Sequence, residues 1–411
     1  MKSFFELATA EDAYRAIGRI EPIGTERIDS RQAAGRVVAE MVTAAEDIPH
    51  FERSNMDGFA VRAADTHGAN DRSSVVLRIV GQVAMGAEAT TAVSAGSAVR
   101  VATGAMLPPG ADAVVIVEKT EELAADRVAV REAVVAGQNL IRIGEDLRRG
   151  EVVFEPGRRL KGADAGALTG IGRAHVEVYR IPRVGVMATG DEIVEAGEPL
   201  GAGQVRNFNE YALASLARLA GAEVNDYGVV GDDEARLSAA LGRAVAECDA
   251  VFISGGSSKG NRDLTRKTIV DGGGEVVLHG IAIAPGKPTI LARSGRAIVM
   301  GLPGNPAAAV VVFTLFGRTL VRVLGGEPLE RILLTRPTVR ARLETAVRAT
   351  EGREDYIRVR LEHGEAGQAV AVPLRGKSVA ISTVARADGL LRVPLESDGV
   401  EAGCEVDIIL L

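Results

Sequence analysis

Aromatic residues are scarce in this sequence: they make up 3% of its 411 residues, and none is a tryptophan. A surface that stacks nucleic-acid bases needs aromatic side chains, so the sequence offers little for one. Basic residues are not in excess either, because 48 Lys and Arg face 55 Asp and Glu, for a net charge of −7. A protein that binds phosphate backbones without sequence preference is normally basic. Nucleic acid is therefore not an expected partner.

Cysteine and histidine are also rare. The two cysteines, Cys248 and Cys404, are too few for a disulfide framework or for a zinc site built from cysteines. The five histidines never form the H-E-x-x-H pattern of a zinc hydrolase. A zinc enzyme and a disulfide-stabilised secreted protein are therefore both disfavoured.

Long hydrophobic runs are missing as well. The longest, 307–316, is well short of the roughly 18 residues that a membrane-spanning helix needs. The N-terminal segment carries Glu11 and Asp12 and lacks the sustained apolar core of a signal peptide. Thr9 and Asp12 have the spacing of a capping box, which predicts that a helix begins here. We expect a soluble, cytoplasmic protein without a membrane partner.

The residues that are present predict a multidomain protein with α/β and β parts. Hydrophobic residues make up 46% of the sequence and charged residues 25%, which is a globular composition. At roughly 150 residues a domain, the length suggests about two to four domains. The hydrophobic pattern separates two mixed helical and β stretches (1–47 and 141–180), a β-rich stretch between them (48–140), an α/β domain (181–326) and a C-terminal β-barrel or sandwich (327–411). We group 1–47 plus 141–180 as one mixed domain into which 48–140 is inserted.

Alternating strand and helix patterns mark residues 181–326 as the α/β part. Apolar runs such as RVGVMATG and DAVFIS predict buried strands, and the segments between them have apolar residues at helical spacing. Pro306 is typical of the first position of a helix, and a long apolar stretch follows it. This order predicts a parallel sheet with helices on both faces.

Four loops that follow predicted strands share an unusual composition. They are rich in acids, hydroxyl residues, glycine and proline, and they comprise residues 188–192, 231–233, 254–260 and 302–306. Ligands of open α/β sheets bind at the carboxyl ends of the strands. We therefore predict a substrate site there, formed by Thr189, Gly190, Gly255, Gly256, Ser257, Pro303 and Asn305.

The loop at 254–260, SGGSSKG, has the composition of a phosphate-binding loop. Its glycines let backbone N–H groups approach an anion, and Ser257 and Ser258 add hydroxyl donors. Lys259 and Arg262 make the stretch locally basic on an acidic protein. The sequence lacks the G-x-x-x-x-G-K-[ST] spacing of a Walker loop. The alternative interpretation is a flexible Gly-Ser loop without a ligand.

Three carboxylates, Glu192, Asp232 and Asp263, lie in or just after these loops. Carboxylates beside a phosphate site suit Mg²⁺, which takes one or two protein carboxylates together with phosphate oxygens. Each acid alone is also compatible with a helix N-cap or a first helical turn, and Asp232 opens a predicted helix.

A lysine fixed between a glycine and a proline, Lys287, lies between two predicted strands. Such a turn can present the ammonium group to an oxyanion. The alternative is a surface turn whose lysine is simply solvated.

Seven sequence motifs run through nearly the whole chain in a fixed order. They are PHFERSNMDGFA (49–60), RVATGAMLPPGADAVVIVE (100–118), IRIGED (141–146), TGDE (189–192), GGSSKGNRD (255–263), PGKP (285–288) and GLPGNP (301–306). Together they resemble the molybdopterin molybdenumtransferase family, the MoeA-type proteins related to the E domain of gephyrin.

The resemblance implies a homodimer whose protomer has four parts, with an α/β domain similar to the molybdopterin adenylyltransferases of the same pathway. The family takes adenylylated molybdopterin and molybdate, and it yields molybdenum cofactor and AMP in a step that depends on Mg²⁺. The pathway's adenylyltransferase is a further candidate partner. Two alternative functions remain at this stage: an adenylyltransferase that makes the activated pterin, and a gephyrin-like scaffold.

By position, the resemblance assigns roles to individual residues. Asp263 corresponds to the family's catalytic aspartate, and Ser258 to a hydroxyl of the phosphate loop. Glu192 and Asp263 correspond to the residues that hold the cation, and Asp232 to a further active-site acid. The molybdate positions are Lys287, Pro288, Arg353 and Ser378, and the positions supplied by the other subunit are Asp57 and Thr103.

Two positions near the oxyanion site depart from the family pattern. Many relatives carry lysine where this chain has Ala284, and some carry another where it has Gly280. Lys259 and Arg262 instead stand where relatives often have apolar or acidic residues. The resemblance therefore leaves the preference for molybdate or tungstate open.

Overall fold

The structure, a computed structural model, describes residues 7–255, 261–364 and 367–411, without the side chains of 261–263. The chain forms two compact units. One comprises Met1–Glu40, Pro156–Gly162 and Glu177–Leu411, and the other comprises Met41–Glu155 and Ala163–Val176. The division into four domains that the sequence suggests stays a prediction.

A six-stranded sheet forms the centre of the first unit. In spatial order its strands are Glu223–Val230, Arg183–Thr189, Ala250–Gly255, Ala297–Pro303, Ile290–Ser294 and Glu275–His279. Ile290–Ser294 runs antiparallel to both of its neighbours, whereas the other strands share one direction. The expected parallel sheet is therefore confirmed except for this strand. Only two residues connect it to the next strand, and so short a connection joins antiparallel strands.

Helices cover both faces of this sheet, as predicted. Phe252 packs into the core on one face, and its strand neighbours Val251 and Ile253 pack into the core on the other. This alternation follows from the two-residue period of a strand. The helices of the unit are Ala10–Gly18, Asn209–Leu219, Glu234–Glu247, Asn261–Asp271, Pro306–Val312, Arg318–Leu324, Leu329–Leu334 and Ile381–Ala385.

The N-terminal helix begins with the predicted capping box. Thr9 Oγ1 accepts a hydrogen bond from the N–H of Asp12 at 3.1 Å, and Asp12 Oδ2 accepts one from the N–H of Thr9 at 3.0 Å. Two of the N–H groups left without helical partners at this end are thereby satisfied.

The long apolar stretch after Asn305 is helical, but it is not one regular α-helix. Residues Phe313–Gly317 form a π-helical turn between the α-helices Pro306–Val312 and Arg318–Leu324. At 19 residues the whole segment is long and apolar enough to cross a membrane, yet 89% of its most apolar window is buried inside the protein. It therefore has the environment of a core helix.

The C-terminal part of the unit is a nearly closed sheet. Its strands, in spatial order, are Ile283–Ala284, Glu354–His363, Ala369–Pro373, Thr338–Leu343, Glu405–Leu410 and Gly389–Val393. Glu354–His363 also pairs with Gly389–Val393, which closes the barrel. Short pairs lie beside these sheets: Ile193–Val194 with Val205–Arg206, and Val347–Arg348 with Gly399–Val400.

The second unit is rich in β-structure, as the sequence predicts. Its main sheet has the spatial order Ala113–Ile116, Gly58–Val61, Ser97–Val101, Val75–Val83, Arg127–Val130 and Thr120–Ala124. Smaller strand pairs are Val42–Thr43 with Val152–Phe154 and Arg53–Ser54 with Leu140–Ile141. The chain further contains the strands Thr25–Asp29 and His175–Tyr179 and the helix Gly162–Gly170.

Candidate active site

The predicted strand-end loops meet at one edge of the α/β sheet. Thr189 pairs in register with Gly255, and Gly255 pairs with Pro303 on the next strand. On its other side Thr189 pairs with Val230, the last residue of its strand. The loops that the sequence singled out therefore begin side by side, where ligands of open α/β sheets bind.

Gly255 allows the hydroxyl of Thr189 to lie at this edge. A Cβ atom at position 255 would be 1.6 Å from Thr189 Oγ1. No side chain fits in that space, so the glycine is a requirement of the packing as well as a means of exposing backbone N–H groups.

A cavity of about 290 Å³ opens above this edge. Its volume is near the lower end of the range for small-molecule sites, roughly 300–1,000 Å³. The wall combines polar residues of the strand ends with apolar side chains: Thr189, Glu192, Ile193, Val205, Arg206, Asn207, Phe208, Asn209, Ser254, Gly255, Gly304, Asn305, Pro306, Val379 and Ile381.

Glu192 presents an exposed carboxylate to the cavity. It folds back over Gly190, whose φ of +150° favours glycine. A Cβ atom at Gly190 would be 2.5 Å from Glu192 Oε2. Thr189 and Glu192 of the TGDE motif thus both line the cavity.

Asp232 lies at the same edge but does not cap the helix that follows it. Asp233 does so instead, because its side chain accepts a hydrogen bond from the N–H of Arg236 at 2.8 Å. The N–H of Asp232 donates to Asp191 Oδ1 at 3.0 Å. Asp232 Oδ1 is buried and has no hydrogen-bond partner among the described residues. Such an acceptor costs free energy until a ligand, ion or water satisfies it.

The C-terminal part contributes a wall through Ser378. Asn305 Nδ2 donates to Ser378 Oγ at 2.8 Å, and the N–H of Ala307 donates to the carbonyl of Ser378 at 3.0 Å. Val379 and Ile381, which follow, line the cavity. Two predicted site residues from distant parts of the sequence are thus in direct contact.

The turn that holds Lys287 and Pro288 lies next to the segment that holds Arg353. Ile283 and Ala284 pair in parallel with Glu354 and Asp355, which directly follow Arg353. Arg353 is half-buried and Lys287 is exposed. Within the described part of the chain, the structure gives neither side chain an ion-pair partner.

Sequence reasoning did not find Arg358, which lies in the barrel strand between two apolar residues. Its side chain is buried, and its Nη2 donates to the carbonyl of Gly376 at 3.1 Å. The N–H of Leu374 donates to the carbonyl of Arg358 at 2.9 Å. Burial lowers the pKa of this guanidinium. Arg358 therefore holds the segment that leads to Ser378.

Asn207 and Asn209 were also missed, because asparagines before a helix are usually caps. Here both are buried in the cavity wall. Asn207 Nδ2 donates to Glu210 Oε2 at 2.5 Å. Burial raises the pKa of Glu210, against the effect of hydrogen bonds from Asn207 and from the N–H of Gly228. The signal in the sequence was the pattern N-F-N at the start of a segment with helical spacing.

In the second unit, the structure brings together Asp57 and Thr103. Asp57 Oδ1 accepts hydrogen bonds from the N–H and the hydroxyl of Thr103, at 2.6 Å and 2.9 Å. The backbone bond and then the hydroxyl bond lower the pKa of Asp57 below its ordinary value, since both stabilise the carboxylate.

Part of the predicted phosphate loop lies outside the described residues. This applies to Gly256, Ser257 and Ser258 and to the side chain of Asp263. The backbone of Asp263 belongs to the helix Asn261–Asp271, which follows the strand Ala250–Gly255.

Comparison with known proteins shows which family the chain resembles. The MoeA N-terminal region (domain I and II) matches residues 8–172, a probable molybdopterin binding domain matches 185–323, and the MoeA C-terminal region (domain IV) matches 340–411. The molybdopterin molybdenumtransferase of Haemophilus influenzae is 37% identical over 306 residues, 74% of each chain. That of Bacillus subtilis is 30% identical over 411 aligned residues, 98% of this chain and 93% of the relative.

A solved structure has the same fold. The molybdopterin biosynthesis MoeA protein of Pyrococcus horikoshii superposes with a TM-score of 0.82 at 34% identity, covering 98% of this chain and 99% of that one. A second crystal structure with that title gives a TM-score of 0.83 at 30% identity. The chain therefore belongs to the molybdopterin molybdenumtransferase family, the MoeA proteins.

Proposed function

We propose that this chain inserts molybdate into adenylylated molybdopterin, giving molybdenum cofactor and AMP. The observation that carries the proposal is that two parts of the fold line one cavity. One wall consists of the ends of the α/β strands, and the other is the segment of the C-terminal part that begins at Ser378. The strand ends beside this cavity can hold a phosphate-bearing ligand, and the C-terminal part can hold an oxyanion next to it.

The phosphate end of the site is the edge around Thr189 and Gly255. Strand ends of this kind present N–H groups and hydroxyls to anions. We assign the pyrophosphate of the substrate to this edge and to the loop 256–260, with Ser258 as a hydroxyl donor. Asp263 would then lie one helical turn after that loop and position the reacting groups.

The oxyanion end is assigned to Lys287, Pro288, Arg353 and Ser378. The pairing of residues 283–284 with 354–355 supports this, because it brings a lysine and an arginine without ion-pair partners in the described structure into neighbouring segments. Fixed cations and hydrogen-bond donors stabilise the charge that develops on phosphoryl oxygens when a phosphoanhydride breaks. The same cations would thus bind molybdate and stabilise the phosphoryl oxygens as AMP leaves.

Mg²⁺ fits the donor set at this edge. Asp232 Oδ1 is a buried acceptor without a partner in the described structure, and Glu192 offers an exposed carboxylate. No group of three or more His, Cys, Asp or Glu suited to a metal occurs among the described residues, which do not include the side chain of Asp263. Mg²⁺ needs only one or two carboxylates when phosphate oxygens complete its shell. Glu192 and Asp263 would hold the ion, which when bound neutralises phosphate charge.

We further propose a cytoplasmic homodimer in which Asp57 and Thr103 complete the site of the partner subunit. Their hydrogen-bonded pair is a built feature of the second unit and keeps Asp57 ionised. The adenylyltransferase that makes the substrate is the expected donor of adenylylated molybdopterin.

The central test measures AMP release from adenylylated molybdopterin, titrated separately with molybdate and with tungstate. We expect release to depend on one of these oxyanions and to be lost in Asp263→Ala, which should still bind the substrate. Asp271→Ala, at the other end of the same helix and paired with Lys267, is the matched control and should keep its activity. AMP release without any oxyanion requirement, or ATP consumption with unmodified molybdopterin, would reject the assignment.

A further inference from the structure

Two buried acceptor oxygens in the cavity wall lack partners within the described structure. They are Asn207 Oδ1 and Asn209 Oδ1, and the side chains that carry them belong to residues only 5% and 7% exposed. Both residues line the cavity at the candidate active site. A buried acceptor that is left unsatisfied costs the full desolvation of the group.

The orientation of the Asn209 amide is fixed by its surroundings. Its Nδ2 donates to the carbonyl of Gly304 at 2.8 Å and to Ser254 Oγ at 2.6 Å. A carbonyl oxygen can only accept, so the nitrogen must face Gly304. The oxygen of Asn209 is therefore the atom left for a ligand.

The same reasoning fixes Asn207. Its Nδ2 donates to Glu210 Oε2 at 2.5 Å and to Glu195 Oε1 at 3.2 Å. Both partners are carboxylate oxygens, which accept when ionised. Asn207 Oδ1 thus faces away from them, and like Asn209 Oδ1 it can only accept a hydrogen bond.

This wall suits a ligand that donates hydrogen bonds, and it disfavours an anion. Phosphate and molybdate oxygens would be repelled by the two acceptor oxygens. They would also be repelled by the carboxylates of Glu195 and Glu210, which are bonded to the other side of the Asn207 amide. Apolar side chains that include Phe208 and Ile381 also line the cavity and suit a flat ring. A pterin ring has two adjacent N–H donors, at N3 and on the 2-amino group, whereas the adenine ring of AMP has only its 6-amino group.

We propose that Asn207 and Asn209 bind the N–H edge of the pterin ring and thereby set the orientation of the substrate in the cavity. This inference rests on the proposed function, and it names the part of the substrate that this wall recognises. A cavity of about 290 Å³ has room for one ring system, which agrees with the phosphates and the adenylate lying along the strand ends and outside it.

The test compares two ring probes on the full-length protein. Pterin carries the 2-amino donor beside N3–H, whereas lumazine keeps N3–H but has an oxo acceptor in place of the amino group and an N–H at N1. We expect the wild-type protein to bind pterin at least about 10-fold more tightly than lumazine. In lumazine an oxo acceptor replaces the amino donor, so an acceptor of the ring would face a buried acceptor of the protein. In Asn207→Ala and Asn209→Ala we expect that preference to fall to about twofold or less.

Asn225→Ala is the matched control, since Asn225 bonds Cys248 Sγ on the far side of the same unit and does not line the cavity. It should keep the full preference. If Asn209→Ala fails to fold, Asn207→Ala and the two probes on wild-type protein still decide the question.

Three results would overturn the inference: equal binding of both probes, no pterin binding at millimolar concentration, or an unchanged preference in the variants. AMP serves as the third probe. If AMP displaces pterin and loses affinity in the two asparagine variants while pterin does not, the acceptors bind adenine, and the pterin assignment is wrong. Oxyanion-dependent AMP release by the same wild-type preparation shows that the proposed function stands even when this inference fails.

Discussion

Both hydrogen bonds that Thr103 donates to Asp57 end on the same carboxylate oxygen. The N–H and the hydroxyl reach Oδ1 at 2.6 Å and 2.9 Å. Asp57 Oδ2 has no hydrogen-bond partner within the described part of the chain. One oxygen thus fixes the side chain, and the other is available to accept further hydrogen bonds.

Thr103→Val should raise the pKa of Asp57 towards its ordinary value without restoring it fully. The substitution removes the hydroxyl bond and keeps the backbone bond, which is the larger cause of the lowered pKa. An NMR titration of the Asp57 carboxyl carbon measures the shift. Thr120→Val removes a hydroxyl bond to the carbonyl of Val117 in the same unit and should leave Asp57 unchanged. An unaltered titration of Asp57 in Thr103→Val would contradict the assigned cause.

Mixing two inactive variants should restore activity if the sites are shared between subunits. In the proposed dimer each site takes Asp232 from one subunit and Asp57 from the other. A dimer of one Asp57→Ala subunit and one Asp232→Ala subunit therefore has one site with both aspartates and one site with neither. Random pairing makes half of the dimers mixed, which predicts about one quarter of the wild-type AMP release. Each variant alone should be inactive. Failure to complement after verified subunit exchange would place both residues in the site of a single protomer.

Gly255→Ala should abolish activity, because its methyl group would overlap Thr189 Oγ1. Overpacking of this kind costs about 1–3 kcal/mol of unfolding free energy and displaces the edge on which the substrate phosphates are placed. Urea denaturation and AMP release report the two effects. Gly242→Ala is the control: this exposed helix glycine has open space around it, and alanine there should stabilise the protein by up to about 1 kcal/mol. A fully active Gly255→Ala enzyme would exclude this edge as the phosphate site.

Lys287→Ala should weaken the use of molybdate more than the binding of the pterin substrate. Loss of one cation from an oxyanion site is expected to raise the KM for molybdate by about 10-fold, since a hydrogen bond to a charged group contributes about 1.5–3 kcal/mol. Lys119→Ala, which breaks an ion pair with Glu132 in the second unit, provides the control. Equal KM values for molybdate in Lys287→Ala and wild type would remove Lys287 from the oxyanion site.

A buried ion-pair network should make unfolding sensitive to acid. Glu327 Oε1 accepts from Arg159 Nε at 2.7 Å and from Arg322 Nε at 3.0 Å, and the glutamate side chain is 1% exposed. Burial alone would raise the pKa of Glu327, but the hydrogen bond from Arg322 and the charge of Arg159 outweigh it, so the pKa is lowered. The stabilisation is therefore complete above about pH 4.3, the pKa of an unfolded glutamate, and is lost as the pH falls through the lower folded value.

Glu327→Gln should remove this acid dependence. We expect it to lower the unfolding free energy at pH 7 by about 3 kcal/mol, because it leaves two arginines without their shared carboxylate. Below about pH 4.3 its unfolding free energy should fall less steeply than that of wild type, by up to about 1.4 kcal/mol per pH unit. Denaturant titrations across this range measure both. Glu405→Gln, in an exposed pair with Arg340, should follow the wild-type curve, and identical slopes for Glu327→Gln would disprove the linkage.

Much of the fold could be predicted from the sequence because local patterns decide it. The capping box at Thr9, the alternating strands and helices of 181–326 and the β-rich character of 48–140 depend on spacing along the chain, and the structure shows all three. The π-helical turn at Phe313–Gly317 was not foreseen, since packing around a buried helix sets it and the helix pattern itself continues through it.

The candidate site was predicted only as far as its residues follow strands. Thr189, Gly255 and Pro303 were found by that rule, and register places them together. Asn209 and Arg358 escaped it because their importance depends on what their buried polar atoms face. No spacing rule encodes that information, whereas a three-dimensional account of hydrogen-bond partners reveals it.

The reversed strand Ile290–Ser294 has a consequence for which residues can reach the ligand. Since Ile290 pairs with Gly301, the start of this strand lies near the edge where Thr189 and Gly255 end their strands. The turn just before it, with Lys287, therefore arrives at the same edge. In an all-parallel sheet, a residue three positions before a strand would lie at the opposite edge, away from the substrate. One change of chain direction thus places a lysine from a segment that enters the sheet at the edge where the neighbouring strands end.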